Sequence, residues 1–410
     1  MPYPLIAGVA IICALMAPPA RASQVTVAKG GHLMVNGQRF FPLGLYARPK
    51  TDRPFEEMAA MGFNLASSAF DPTTFDAAAR AGVYLWVPFG EALDLSRDHE
   101  AKQAKIREIV SRAKDHPALL MYESQDEPAW TWKEPAKPSA LPENLALGYQ
   151  LVKQLDPSHP VTLNHAPQNT AKTLRKYNVA CDAISVDIYP VIPRNILHMY
   201  AITRDGRHGD LRNQTISCVG EYVDKMRQVA GPDRPVWMVL QGFAWADLDE
   251  EARVQSSIVY PSYAQTRYMA WQSVIHGCNG ILYWGTHTLP ENSECWSGIA
   301  KTVRELADLS AVLNADEVAV AIEKDYDELG YSIDVGIETS VRDANGSRYL
   351  LAANSGIDPA ALTFRGRDLF ADGEVQVVGE GRSATVVGGA LHDAFKGLEV
   401  HIYQGRKPAG

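Results

Sequence analysis

Cysteine is scarce in this sequence: 5 residues in 410, of which Cys13 falls within the first 22. The other four, Cys181, Cys218, Cys278 and Cys295, do not have the spacing of a zinc site. One or two disulfides remain open to them, with a pairing that spacing alone does not give. Net positive charge is also lacking. The formal charge is −9, and removing residues 1–22 takes away only Arg21, so it becomes −10. An acidic chain offers no electrostatic reason to bind nucleic acid. Long apolar runs are absent beyond residue 22, so no later stretch approaches the ~20 residues of a spanning helix. No internal repeat and no low-complexity tract is present.

The N-terminal stretch PLIAGVAIICALMAPPARA has an apolar run too short for a bilayer and ends in Ala20-Arg21-Ala22. That pattern predicts a signal peptide over residues 1–22 and a secreted or periplasmic protein, with an uncleaved anchor as the alternative.

From Phe40 to about Val312, short apolar runs alternate with helix-like stretches. The runs are FFPLGLY, FNLASS, VYLWVPF, LLMYES, VTLNHA, AISVDIY, VWMVLQGF and GILYWG. Between them lie FDAAARAG, EAKQAKIREIVSRAKDH and PENLALGYQLVKQLD. Eight such units predict a closed (β/α)8 barrel over residues 23–315. An open doubly wound sheet would need a phosphate-binding glycine loop after the first strand, and GLYARPK is not one. After about Asp316 the texture changes to short alternating runs between Gly, Asp and Asn turns, which predicts an antiparallel β-sandwich over residues 316–410.

A barrel of this kind carries its active site at the C-terminal ends of its strands. Those ends bring forward Tyr46 and Arg48, Asp71, Glu91, Asp126-Glu127, Asn164-His165, Asp187 and Tyr189, Gln241, and Trp284 with His287. Trp86, Trp130, Trp132, Trp245 and Trp296 fall near the same ends or the loops beyond them. Carboxylates and amides bond sugar hydroxyls, while aromatic rings stack on apolar sugar faces. Glu127 stands out because its neighbour Asp126 disfavours its ionisation, as a general acid requires. The alternative is an acidic cap on a following helix begun by Pro128.

DHPALLMYESQDEP resembles the fourth-strand motif of the clan of retaining (β/α)8 glycoside hydrolases, in which an Asn-Glu-Pro tripeptide carries the acid/base glutamate. HLMVNGQRFFPLGLY is similar to that clan's first-strand segment, and CDAISVDIYPV to its sixth strand. LHDAFKGLEVHIYQ is similar to the closing strand of the β-sandwich that often follows such barrels. The resemblance implies Glu127 as acid/base and Asp126 as its hydroxyl-binding neighbour, where the clan usually has Asn. It also implies a nucleophilic Glu ending strand seven. This chain has PVWMVLQGFAW there, with Leu240 and Gln241 at that place.

Four accounts of the missing partner follow. Another carboxylate serves, with Asp187 best placed, then Glu91 or Asp247. The enzyme is inverting. A 2-acetamido group of the substrate is the nucleophile, with Tyr189 and Gln241 holding the ring that forms. Or the protein binds sugar without cleaving it. The catalytic set expected is Glu127, Asp126 and Asp187. The expected substrate-binding set is Glu91, Trp130, His165, Tyr189, Gln241, Trp284 and His287. The reading is hydrolysis of O-glycosidic bonds in an oligo- or polysaccharide, against a non-catalytic carbohydrate-binding protein. No cofactor and no metal is expected, since His165, His287 and Asp187 show no diagnostic ligand spacing. A basic excess at Arg194, His198, Arg204, Arg207, His208 and Arg212 suits either an anionic glycan or a solvated loop. Sequence does not indicate the oligomeric state.

Overall fold

The computed structural model describes residues 22–130, 137–167, 169–193, 215–248, 258–290, 292–328 and 336–408. The expected signal peptide up to Arg21, Trp132 and the basic stretch from Arg194 to Arg212 lie outside the described residues.

Three short antiparallel strands open the chain: β1 (Val25–Val27), β2 (Leu33–Val35) and β3 (Gln38–Phe40). Leu33 and Val35 pack with Trp237 and Leu282 in one buried cluster, so this small sheet closes the floor of the domain that follows. That domain is a closed parallel barrel. Its strands are β4 (Leu43–Leu45), β5 (Leu65–Ser67), β6 (Tyr84–Pro88), β7 (Leu119–Glu123), β8 (Val161–His165), β9 (Ala183–Ile188), β10 (Val236–Gln241) and β11 (Gly280–Trp284). Each coincides with one of the eight apolar runs. The strands are buried on both sides, which is why they read as continuous apolar runs instead of alternating ones.

The helices form for local reasons as well as by packing. In Pro72–Ala81, Asp71 accepts from the Thr74 amide at 2.8 Å, Pro72 opens the first turn, and Gly82 ends it at φ 74°. Asp71 is thereby a helix cap. In Tyr263–Ile275, Ser262 and Gln265 form a reciprocal capping box. Leu45, Val87, Leu163, Ile184 and Leu240 face the helices in the main core. Leu65, Trp86, Met121, Trp237 and Leu282 fill the barrel interior.

After helix Glu294–Asp308 and the short turn Ser310–Leu313, the chain enters an eight-stranded antiparallel sheet. It comprises β12 (Glu323–Tyr326), β13 (Ile337–Ala344), β14 (Ser347–Asn354), β15 (Ala360–Arg365), β16 (Gly373–Val377), β17 (Arg382–Val387), β18 (Ala390–Phe395) and β19 (Val400–Gly405). Their order is β12-β15-β18-β17-β16-β19-β14-β13. Ile337, Leu350, Phe364, Val375, Phe395 and Tyr403 share one core, so the sheet curls over itself as a sandwich. Arg342, 5% exposed, joins it to the barrel by donating to the carbonyls of Val274, Leu313 and Ala315.

The four described cysteines are buried and unbonded to one another, and burial pushes each thiol up to about 12. They are inert, apolar packing residues. Among the described residues, no helix is long and apolar enough to cross a membrane.

Candidate active site at the barrel mouth

Successive side chains on a strand point to opposite faces, so parity decides which strand-end residues enter the barrel. On β8, Asn164 points inward and His165 outward. On β9, Ser185 and Asp187 point inward. The hydrogen bonds follow that division. Ser185 Oγ donates to Asn164 Oδ1 at 2.8 Å, which fixes the amide. Asn164 Nδ2 then donates to Asp126 Oδ1 and to Asp187 Oδ1, each at 2.9 Å.

Glu127 completes the group, its charge acting with that of Asp126 on the Asp187 carboxyl. Its backbone N–H donates to the Asn164 carbonyl at 3.1 Å, which ties the segment after β7 to the end of β8. Glu127 holds φ at 43°, a left-handed conformation disfavoured for a residue with a Cβ. The other described non-glycine residues with positive φ are Asn36, Asp98, Asn292, Asn345 and Leu398. Glu127 alone among these six stands in the carboxyl group at the mouth, and strain of this kind collects at functional sites.

Beneath these three lies Glu123, at 7% exposure, accepting from Tyr46 Oη at 2.8 Å and Trp86 Nε1 at 3.1 Å. Burial, then the charge of Asp126, pushes its carboxyl up to about 7 against those two donors. Burial likewise raises Asp187 well above the usual carboxylate range, with the charges of Asp126 and Glu127 adding to it. Asp126 is raised by burial in spite of the Asn164 bond. Burial and mutual repulsion thus hold the carboxyls of Glu123, Asp126 and Asp187 above the usual carboxylate range.

The aromatic wall stands opposite. Tyr189 follows Asp187 by two residues, and burial, with the charge of Asp187 adding to it, raises its phenol well above the usual range. Its ring stacks on Trp284 at 5.8 Å and 26°, and Trp245 Nε1 donates to its carbonyl at 3.2 Å. His287, exposed, meets Trp284 edge-on at 5.8 Å. Beside Tyr46 a recess of about 420 Å³ opens, lined by Ala47, Arg48, Lys50 and Ser67. A larger one, about 880 Å³, lies on the sandwich domain around Arg365, Arg367 and Asp372, away from the carboxyl group.

Of the residues expected in the site, Asp126, Glu127 and Asp187 form the carboxyl cluster, and Tyr189, Trp284 and His287 a neighbouring aromatic group. Trp130 is buried directly after it, its N–H closing a turn onto the Glu127 carbonyl at 3.0 Å. Glu91 is exposed on the 3-10 turn Gly90–Leu93 beyond β6, outside this network.

Two expectations are corrected by position. His165 lies behind the sheet against Tyr177 (6.0 Å, 77°), with neither ring nitrogen hydrogen-bonded, and burial pushes it down to about 3. It is a neutral core residue that does not face the mouth. Gln241 is fully buried. Its Nε2 donates to the carbonyls of Val191 and Phe243, each at 3.0 Å, and its Oε1 accepts from Val191 N at 2.9 Å. Both amide hydrogens hold the loops after β9 and β10 together and neither is left for a sugar.

Trp296 also stands apart, stacked on Phe63 at 6.1 Å. Among the described residues no group of three His, Cys, Asp or Glu side chains stands in metal-holding geometry. Glu123 escaped the sequence reading. The available signal was a carboxylate two residues after Met121, on the inward parity of an otherwise apolar strand.

No family model matches this chain, and no curated protein matches it. Solved structures do. A GH42 β-galactosidase from G. stearothermophilus, as a catalytic mutant, superposes with a TM-score of 0.57 at 12% identity, covering 90% of this chain and 98% of its own. An α-amylase from Geobacillus thermoleovorans, complexed with acarbose, gives 0.54 at 8% identity, covering 90% and 99%. A β-galactosidase from Bacillus circulans sp. alkalophilus gives 0.52 at 10% identity, covering 89% and 98%. The chain thus has the fold of these glycoside hydrolases, a (β/α)8 barrel followed by an antiparallel β-domain.

Proposed function

We propose that the protein hydrolyses O-glycosidic bonds of an oligo- or polysaccharide at the barrel mouth, with Glu127 as general acid/base. The observation that carries this reading is the cluster of Asp126, Glu127 and Asp187 at the barrel mouth, in which Asn164 Nδ2 donates to Asp126 and to Asp187 at 2.9 Å each. Burial, with the charges of Asp126 and Glu127 adding to it, raises the Asp187 carboxyl well above the usual carboxylate range, and a carboxyl group that retains a proton is what donation to a leaving oxygen requires. Asn164, oriented by Ser185, keeps the group in register. The ring of Trp284, backed by Tyr189, supplies an apolar face for a sugar. The glycoside hydrolases with this fold support the same reading. Export, proposed from the N-terminal stretch, would bring the protein to glycans outside the cytoplasm.

One observation favours a second reading, a carbohydrate-binding protein that does not cleave: strand seven ends in Gln241, with its amide committed to backbone. A screen of glycans and aryl glycosides against wild type and Glu127→Gln separates the two. Hydrolysis is expected in wild type, with kcat falling roughly 10²–10⁴-fold in the variant, most for poor leaving groups. Turnover unchanged by the substitution removes the acid from Glu127. Binding without turnover in wild type establishes the second reading.

A further inference from the structure

The recess of about 420 Å³ beside Tyr46 opens where β4 and β5 end, at the same end of the barrel as the carboxyl cluster. Tyr46, Arg48, Lys50, Pro54 and Ser67 are among the residues that line it. In the ring of barrel strands β4 stands four places from β8, so the recess lies across the mouth from Asn164. Tyr46 links the two sides, lining the recess while its hydroxyl donates to Glu123 at the end of β7 at 2.8 Å.

The segment that carries the two cations is held in place. The Tyr46 amide donates to the Tyr283 carbonyl at 3.2 Å, and Thr286 Oγ1 to the Ala47 carbonyl at 3.4 Å. Pro49 and Pro54 fix φ on either side of Lys50. Arg48, half-buried, sets its guanidinium over the Phe55 ring, 5.1 Å from the centroid. That contact steadies the group without using its N–H donors. Among the described residues, no hydrogen bond and no ion pair engages Arg48 or Lys50. Asp71 feels the charge of Arg48, but its carboxylate is occupied in capping its own helix at the Thr74 amide. Two like charges thus share one recess of a chain whose formal charge is −9, and an oxyanion between them would relieve their repulsion.

Resting on the glycosidase reading, we propose that this recess is a subsite for an acidic sugar, whose carboxylate or sulfate oxygens accept from Arg48 and Lys50 while the glycan runs across the mouth to the carboxyl cluster. Arginine offers paired donors that match two oxygens of such a group, and lysine adds a point charge. The pair also offsets a cost of the site. A negatively charged glycan is repelled by Asp126, Glu127 and Asp187, and a fixed positive recess opposite them lowers that repulsion. A neutral glycan would use neither cation. The assignment therefore narrows the substrate class to glycans that bear uronate or sulfate.

The test titrates matched neutral, uronate-bearing and sulfate-bearing oligosaccharides of the gluco and galacto series against wild type, Arg48→Lys and the double variant Arg48→Met with Lys50→Met. Hydrolysis of the same compounds is followed in wild type and Glu127→Gln. Wild type is expected to bind one acidic series roughly tenfold or more tighter than the neutral one, by a margin that shrinks as salt rises. Which acidic series wins distinguishes carboxylate from sulfate. The double variant should lose the preference, and Arg48→Lys, which keeps the charge but not the paired donors, should retain part of it. Equal affinity of wild type for acidic and neutral compounds overturns the inference. So does a preference that persists in the double variant, since the cations would then only balance the charge of the mouth. Acidic compounds bound at Arg48 and Lys50 but never hydrolysed leave the subsite standing and remove the glycosidase reading. Glu127-dependent hydrolysis of neutral compounds, with no preference for acidic ones, does the reverse. No binding of any series removes both.

Discussion

The carboxyl of Glu123 is buried under Tyr46 and Trp86 and raised from 4.5 to about 7. A raised carboxyl keeps its proton in the folded chain after the unfolded chain has lost its own. Its contribution to stability is therefore fully present below pH 4.5 and is lost as the pH rises through about 7. Glu123→Gln keeps the shape without that loss. The variant is expected to gain thermal stability relative to wild type between those values and to hold the gain above them, as melting curves across the range will show.

A second residue-scale expectation concerns Glu127, held at φ 43°. A left-handed residue with a Cβ costs about 1–2 kcal/mol over glycine. Glu127→Gly should therefore unfold at higher denaturant than Glu127→Ala, with both inactive. Equal midpoints would show that the backbone there is unstrained.

The type of chemistry at the strand ends was legible, since carboxylates and aromatics do not gather at such positions by packing alone. The facing of individual side chains was not. His165 and Asn164 are neighbours in sequence and lie on opposite faces of β8, and one residue of register separates a ligand from a core histidine. Gln241 has the inward parity, yet its amide turns onto the backbone of Val191 and Phe243, a loop geometry that sequence does not encode locally.

At the scale of elements, all eight barrel strands were readable because a strand buried on both faces is apolar throughout. The sandwich was less so: β17 and β18 alternate polar and apolar residues too weakly to stand out. Their hairpin turns at Gly388-Gly389, with φ of 59° and 73°, where glycine meets both positive angles.

Glycine within a helix is a different signal. Gly148 sits inside Pro142–Leu155, where alanine would be preferred by about 1 kcal/mol on propensity. A Cβ there would stand 2.3 Å from the Leu93 carbonyl oxygen, so the helix lies directly on the turn after β6. Gly148→Ala is expected to destabilise by a net ~1–3 kcal/mol, because backbone overlap outweighs propensity. Urea midpoints measure it, and a stabilised variant would show that the contact yields.

At the scale of the molecule, barrel and sandwich are joined by polar contacts that neither half could satisfy alone. Arg267, in helix Tyr263–Ile275, pairs with Glu305 at 2.7 Å and donates to the carbonyl of Val400 on β19. His276, just beyond that helix, bonds Glu338 of β13 at 2.8 Å and Asp224 of helix Cys218–Ala230 at 3.0 Å. Gln272 and Ser355 also bond Glu338, so that carboxylate is satisfied from both domains. Burial pulls the imidazole down, but Asp224 and Glu338 outweigh it and raise it from 6.5 to about 10. The Asp224 side chain is 57% exposed and Glu338 only 12%, so solvent screens the first arm and the second carries most of the attraction. For a group whose folded value is raised, the stabilisation is fully present below 6.5 and is lost as the pH rises through about 10. His276→Gln leaves the buried Glu338 without its cation and should cost about 3 kcal/mol near pH 6. The deficit should shrink steadily toward pH 10, where the wild-type imidazole is itself losing its proton. Chemical denaturation of both proteins at pH 6, 8 and 10 measures this, and a pH-independent deficit would show that His276 joins the domains by packing and not by charge.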